Sequence, residues 1–171
     1  MIQILENLKH HNESITGIIS PEGKAYLCEP YEHLDFILEI LKDENDIKWV
    51  EDFQRETRES VEEMYASAEQ EGGGWHEIDY YEGEQSCNLM DHLYGIGFFR
   101  FHAKRQNNIY TFGGGDTYYT VTIEGSKRNA ANIVNIIADL RTKFEQYITI
   151  NVETIPQDAI SYFHPFDQEM I

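Results

Sequence analysis

The sequence predicts an α+β fold, with an antiparallel or mixed sheet and helices packed on one of its faces. Three observations predict it. Short segments rich in β-branched and aromatic residues are joined by turn signals, which is typical of β-hairpins. Other segments repeat apolar residues at helical spacing. The chain has 171 residues, about the size of one domain, so we expect both kinds of element to share a core.

The first predicted elements are a hairpin and a helix. Residues 14–20 (SITGIIS) form the first strand, a Pro-Glu-Gly turn follows, and residues 24–28 (KAYLC) form the return strand. Pro30 suits the first turn of a helix, because the N–H that it lacks has no helical partner there. The helix is predicted over residues 31–42, where apolar residues recur at helical spacing. They are Leu34, Ile37, Leu38 and Leu41.

A second helix is predicted over residues 47–69. Its apolar stripe is thin and its other positions are rich in carboxylates, so we expect it to be exposed along much of its length. The stripe consists of Val50, Phe53, Val61, Met64, Tyr65 and Ala68. A run of three glycines, residues 72–74, is expected to end the helix. The aromatic and acidic residues 75–91 are predicted to form a loop, followed by a short helix near residues 85–94.

The second half of the chain is predicted to complete the sheet. A second hairpin is expected from residues 97–104 and 109–112, with its turn through Gln106, Asn107 and Asn108. The remaining elements are a strand over residues 117–124, a helix over 128–146, a strand over 147–152 and a short helix around 157–162.

Acidic residues are concentrated in one central segment. The chain has a formal net charge of −18, and residues 29–91, with twenty acidic and four basic residues, account for −16 of it. We expect a single domain over residues 1–171, in which residues 44–91 form an acidic protruding lobe or insertion. Two explanations of the acid are open. Exposed helices rich in glutamate favour solubility; alternatively, a dense negative field recognises a basic partner and speeds association with it.

The composition also narrows the range of cellular compartments and partner classes that we expect for this protein. The first residues lack the apolar core of a signal peptide, and no apolar run reaches the roughly 18 residues that a membrane-spanning helix needs. The two cysteines, Cys28 and Cys87, have neither the spacing of a metal knuckle nor the density of a disulfide scaffold. A chain this acidic is not expected to bind nucleic acid or anionic membranes directly. We therefore expect a soluble protein of the cytoplasm.

No catalytic residue, metal site or cofactor is predicted. The seven histidines are scattered without ligand spacing, so a site that combines residues 75–79 with Cys87 and His92 would depend on the fold to assemble it. Cys28 and His33 could mimic a nucleophilic pair, but the sequence indicates neither a group that orients the histidine nor an oxyanion donor.

Two glycine-containing segments invite a phosphate-binding hypothesis. Residues 113–116 lack the Lys-Ser/Thr pair of a phosphate-binding loop, so a hairpin connection explains them better. Residues 125–128 (GSKR) offer backbone N–H groups and two cations at a helix start, which suits an anion. The simpler expectation is that Ser126 caps that helix.

Part of the sequence resembles a group of small proteins encoded by phages and prophages. In these proteins an apolar pair precedes Ser/Asp-Pro-x-Gly, and a cysteine and a histidine follow ahead of an amphipathic helix. The matching residues here are GIISPEGK at 17–24, then Cys28 and His33, and later the phrases FFRFHAK and VTIEG. The usual aromatic residue before the first isoleucine is absent, and residues 44–91 look like an insertion. The group has no assigned activity, so the resemblance implies a mobile-element origin and no mechanism.

These observations favour a non-enzymatic acidic binding protein. The leading hypothesis is a phage-encoded inhibitor, of the anti-CRISPR or another anti-defence type, that acts in the host cytoplasm. Its carboxylates would mimic nucleic acid on the basic surface of a nucleic-acid-handling enzyme, and aromatic side chains would anchor the contact. The predicted partner-binding residues are Glu51, Asp52, Glu56, Glu59, Glu62, Glu63, Glu69, Glu71, Trp75, Tyr80 and Tyr81.

Alternatives to this hypothesis stay open. One is an immunity protein that neutralises a basic nuclease toxin with the same acidic surface. Another is an uncharacterised enzyme or small-ligand-binding protein that uses the aromatic and histidine-rich residues 75–102. The apolar side of residues 47–69 could also pair two copies of the chain as a dimer.

Overall fold

The computed structural model describes residues 14–108, 116–126, 130–144 and 148–154. These residues form four helices and a five-stranded mixed sheet, which confirms the predicted α+β fold. The chain divides into two compact units. The sheet unit comprises residues 1–29 and 93–171, and the helical unit comprises residues 30–92.

The sheet has the strand order β2-β1-β3-β4-β5. Its strands are β1 Ser14–Ile19, β2 Ala25–Leu27, β3 Phe99–Asn108, β4 Asp116–Gly125 and β5 Ile148–Thr154. The predicted first hairpin is confirmed, since β1 pairs antiparallel with β2. On its other side β1 pairs antiparallel with β3, and β3 pairs antiparallel with β4. Among the described strands, only the β4–β5 pair is parallel. A helix separates these two strands in the chain and returns it to the same end of the sheet.

The core of the sheet unit lies between one face of the sheet and a helix. Side chains alternate across β3, so Phe99, Phe101 and Ala103 lie on the buried face. The helix α4, Ala130–Phe144, covers this face with its own apolar stripe. That stripe consists of Ile133, Ile136 and Leu140, spaced three and four residues apart.

Gly17 allows the two central strands to pack closely. It lies directly opposite Phe101 across the β1–β3 pair. A Cβ added at Gly17 would collide with the Tyr26 carbonyl oxygen and with the Phe101 ring. The Phe101 ring therefore occupies the space that a side chain at Gly17 would need.

Three helices lie in the first two-thirds of the chain. They are α1 Leu34–Ile40, α2 Glu44–Glu71 and α3 Trp75–Gly95. Asp43 caps α2, because its Oδ1 accepts from the backbone N–H groups of Asn45 and Asp46 at 2.8 and 3.2 Å. Gly72 ends α2 in the left-handed region at φ 70°, which glycine adopts without steric cost. The predicted glycine stop is thus confirmed.

The loop predicted for residues 75–91 is wrong, because α3 is continuous from Trp75. The hydrophobic pattern fails here since polar residues occupy the middle of the packed stripe. Gln85 donates to the Thr57 hydroxyl at 2.8 Å, and Glu82 accepts from the Tyr31 hydroxyl. These bonds take the place of apolar contacts between Ile78 and Leu89, which are both buried.

The predicted turn at residues 106–108 is also wrong. β3 continues to Asn108, which lies opposite Asp116 of β4. Strand pairing overrides the turn preference of Asn107 and its neighbours. The predicted partner strand at 109–112, the glycines at 113–115 and the short helix around 157–162 lie outside the described residues.

Candidate functional site

All eleven predicted partner-binding residues lie in the helical unit. The eight carboxylates are on α2, and Trp75, Tyr80 and Tyr81 are in the first two turns of α3. The unit contains nineteen acidic and four basic residues, a net charge of −15. The strongest charge imbalance of the chain therefore belongs to one compact unit.

Seven of the eight predicted carboxylates fall on two stripes of α2, because residues three or four apart share a helix face. The first stripe is Asp52, Glu56, Glu59 and Glu63. The second stripe is Glu51, Glu62 and Glu69, separated by whole numbers of turns. All of these residues except Asp52 are exposed.

Asp52 differs from its neighbours because two cations already engage it. Its carboxylate is 3.0 Å from Arg55 and 3.4 Å from Lys48. Loss of hydration acts to raise the pKa of Asp52, but the hydrogen bond from Arg55 and the charge of Lys48 hold this pKa below its ordinary value. Asp52 therefore contributes little open charge to a partner.

After Arg58, the acidic residues of the helical unit are no longer interspersed with lysine or arginine. Residues 59–92 contain ten acidic residues and no lysine or arginine. Five of them fall between Glu59 and Glu71 on α2, a helix rise of about 18 Å at roughly 1.5 Å per residue. The mean axial spacing of these five carboxylates is therefore about 4.5 Å, compared with roughly 3.4 Å per phosphate along one DNA strand.

An open groove lies where the end of α2 meets the start of α3. It has a volume of about 460 Å³, and its carboxylates are Glu63, Glu71 and Glu77. Met64 and Ala68 give it an apolar part, and hydroxyl groups also line it. The three-glycine turn returns the chain so that Glu77 comes from α3 while the other two carboxylates come from α2.

Sequence reasoning missed Glu77, because the segment around it was predicted to be a loop. A helix that starts directly after the glycine turn would have placed Glu77 in its first turn, because Glu77 is the third residue of α3. Among the predicted residues, only Glu63 and Glu71 line this groove together. Glu51, Glu62 and Glu69 are on the opposite flank of α2, and the fold does not bring them to the groove.

Exposed aromatic rings occur at the same end of the helical unit. Trp75 is 48% exposed and packs against Tyr65, with ring centroids 5.8 Å apart. Tyr65 is 44% exposed, so its predicted place in the apolar stripe of α2 is wrong. Tyr80 is 68% exposed, whereas Tyr81 is partly buried. Trp75 and Tyr80 can therefore contact a partner, with Tyr65 as an added ring.

The interior of the helical unit contains stacked rings as well as buried aliphatic side chains. The ring of Trp49 stacks with those of Phe53 and His92, at centroid distances of 5.3 and 3.9 Å. Tyr31 meets Phe53 edge to face at 6.5 Å. Burial, with the nearby Glu82 carboxylate, raises the pKa of Tyr31 to about 12, so its hydroxyl stays protonated and able to donate.

The candidate catalytic and metal-binding groups do not assemble into a site within the described residues. Burial, with Glu29 nearby, raises the pKa of Cys28 to about 11, so its sulfur is a protonated thiol at neutral pH and a poor nucleophile. No group of three or more histidine, cysteine or carboxylate side chains in the described ranges could hold a metal ion. His76 and Cys87 are both exposed on α3.

The structure describes only part of residues 125–128, where the sequence suits either an anion or a helix cap at Ser126. Ser126 is buried, and its hydroxyl donates to the Tyr94 carbonyl oxygen at 2.7 Å. Residues 127–129 lie outside the described residues, and the first described helical residue of α4 is Ala130. Ser126 thus ties β4 to the end of α3 in the sheet unit.

Comparison of the chain with protein-family models, curated proteins and solved structures finds no match. Among the described helices, none combines the length and apolar character needed to cross a membrane.

Proposed function

We propose that this protein binds the basic surface of a nucleic-acid-handling enzyme through the helical unit, as a phage-encoded inhibitor that mimics nucleic acid. The observation that carries the proposal is the groove in which the carboxylates of Glu63, Glu71 and Glu77 converge, within residues 59–92, which contain ten acidic residues and no lysine or arginine. An enzyme groove shaped for phosphates presents lysine and arginine side chains that such a surface would engage.

The groove gives the surface a place for one cationic side chain. An arginine that enters it would meet the carboxylates of Glu63, Glu71 and Glu77 while its aliphatic stem contacts Met64 and Ala68. The exposed Trp75 ring at the same end of the unit adds a face that attracts cations. Charge and shape therefore favour a partner rich in arginine.

The proposal can be tested by competition with DNA. The immobilised protein should retain an enzyme from a bacterial lysate at low salt, and added duplex DNA should release it, because both occupy the same basic surface. The purified enzyme should then lose nucleic-acid binding or cleavage when the protein is added.

A pair of matched variants locates the contact. The groove variant carries Glu63→Gln, Glu71→Gln and Glu77→Gln, and the second-stripe variant carries Glu51→Gln, Glu62→Gln and Glu69→Gln. Each removes three negative charges, so the pair has equal net charge. We expect only the groove variant to release the enzyme. Retention by both variants, or retention in excess duplex DNA, would refute the mimic proposal.

An immunity protein for a basic nuclease toxin would use the same chemistry. The identity of the retained enzyme separates the two functions, since a toxin encoded beside this protein indicates immunity and a host defence enzyme indicates inhibition.

A further inference from the structure

The described sheet ends in two edge strands of unequal length. At one edge, β2 has only three residues, and at the other edge β5 has seven. Short edge strands offer few backbone groups for pairing, which is one way in which proteins prevent unwanted association of sheets. The short β2 is protected in this way, whereas β5 is not.

The sequence of β5 also lacks the residues that usually protect an edge. It reads ITINVET, in which five of the seven residues are β-branched and none is lysine or proline. Its one charged residue is Glu153. Among the described strands, β5 pairs on one side only, with β4. Within the described part of the chain, the backbone groups on the other side of β5 are therefore left for a further strand.

The apolar face of the sheet continues to this edge. Ile150 and Val152 lie in register with Val121 and Ile123 of β4, which are both fully buried under α4. Ile150 packs against the core and is half-buried, but Val152 is 43% exposed. A further strand beside β5 would cover the apolar surface that is left open at Val152.

The residue order of β5 is complementary to a second copy of β5. When two copies run antiparallel about a two-fold axis at Asn151, the whole strand is paired, because this residue is its centre. Ile150 then lies opposite Val152 on the apolar face, and Glu153 lies opposite Thr149. No charged residue faces its own copy in this register. An axis one residue to either side would leave residues unpaired at a strand end.

Charge also favours the sheet unit as the place where two copies meet. Its net charge is −3, compared with −15 for the helical unit, so contact between sheet units brings less like charge together. The side chains of Thr149 and Asn151, on the other face of β5, are exposed and uncharged. The edge at β5 therefore combines free backbone groups, an open apolar side chain and little repulsion.

We infer that this protein forms a two-fold symmetric dimer through β5, in which the strands of two copies pair antiparallel about Asn151 and join their sheets into one. The axis is perpendicular to the sheet, so Val152 of each copy packs beside Ile150 of the other on the apolar face. Such a dimer presents two acidic grooves and can engage a partner with two basic sites more tightly than one copy does. The dimer itself does not depend on the proposed function, because it uses the sheet unit and not the acidic groove.

The test changes the residue on the two-fold axis. Asn151→Asp places two carboxylates directly opposite each other and should weaken dimerisation at least about fivefold, measured by sedimentation of the full chain at up to about 200 µM. The control Asn135→Asp makes the same change at an exposed position of α4 and should leave the dimerisation constant within about twofold of wild type. Circular dichroism checks that both variants fold.

A mixture of two variants separates the register from a loss of folding. The N151D and N151K proteins should each dimerise weakly alone, whereas an equimolar mixture should form heterodimers, since opposite charges then face each other across the axis. Added salt should strengthen the wild-type dimer, because each copy has a net charge of −18, while the same salt should weaken binding to a basic partner. The two proposals therefore fail independently.

Three results would overturn the inference. A wild type that stays monomeric over the whole concentration range would show that β5 does not pair with its own copy. A dimer that Asn151→Asp does not weaken would place the contact on another surface. Variants that fail to form heterodimers in the mixture would show that position 151 does not lie on the axis.

Discussion

The two units of this chain differ in both charge and core. The sheet unit has twelve acidic and nine basic residues, a net charge of −3, whereas the helical unit has a net charge of −15. The sheet unit buries a continuous apolar cluster between strands and a helix. The helical unit buries fewer apolar side chains, among them Ile37, Val50 and Leu89, and it adds stacked rings and polar contacts between its helices. The acidic surface thus belongs to the unit with the thinner apolar core.

This difference predicts that the two units respond to different perturbations. Added volume should affect the sheet unit most, because its interior is close-packed. Removal of polar contacts or of like charges should affect the helical unit most, because these terms are a larger share of its stability. The following changes test that contrast, from the largest expected effect to the smallest.

The first change adds one methyl group to each unit. Gly17→Ala should lower the free energy of unfolding by about 2–3 kcal/mol, since the new Cβ collides with the Phe101 ring and a backbone oxygen. Gly73→Ala has open space around it and should change this free energy by less than about 0.5 kcal/mol. Urea denaturation of both variants measures the difference. Equal costs would show that the sheet unit is not close-packed at this position.

The second change removes a buried hydroxyl from the helical unit. Thr57→Val takes the acceptor from the Gln85 amide and should cost about 1–2 kcal/mol. Thr142→Val removes an exposed hydroxyl that bonds only to a carbonyl of its own helix, and it should cost less than about 0.5 kcal/mol. If thermal or urea unfolding shows no difference between Thr57→Val and Thr142→Val, the Gln85–Thr57 hydrogen bond does not stabilise the packing of α2 against α3.

The third change relieves repulsion among carboxylates. Replacement of Glu59, Glu62 and Glu63 by glutamine should raise the free energy of unfolding by about 0.5–1 kcal/mol at low salt, because these residues are three or four apart on α2. The gain should be smaller in about 0.5 M salt, because dissolved ions then screen the repulsion between carboxylates over a shorter distance. Glu124→Gln, opposite Arg100 in the sheet, should give no gain. A gain that persists in high salt would point to helix propensity rather than charge.

Local patterns were enough to predict several elements. The β1–β2 hairpin, β4 and α4 were predictable because their strand alternation, turn residues and helical stripe are contained within short stretches of sequence. The helix α3 was not, because the half-buried residues Gln85 and Glu82 interrupt its apolar pattern and are paired with Thr57 and Tyr31, which are distant in the sequence. A single sequence does not show that these polar residues are paired.

The candidate site shows the same limit. The acidity of α2 was visible in the sequence, and helical spacing alone separates its two stripes. The groove was not visible, because it depends on a turn that brings Glu77 beside Glu63 and Glu71. The exposure of Tyr65 was also missed, since its spacing suits the apolar stripe while its ring lies against the exposed Trp75.

The central claim is that the acid acts as a located surface rather than as bulk charge. The most direct test is the affinity of a ten-residue arginine peptide for the wild type, the groove variant and the second-stripe variant, measured across a series of salt concentrations. We predict that the groove variant binds at least about tenfold more weakly, about 1.4 kcal/mol, with a shallower salt dependence, while the second-stripe variant stays within about threefold of wild type. Equal losses in the two variants would show that only net charge matters and would contradict the claim.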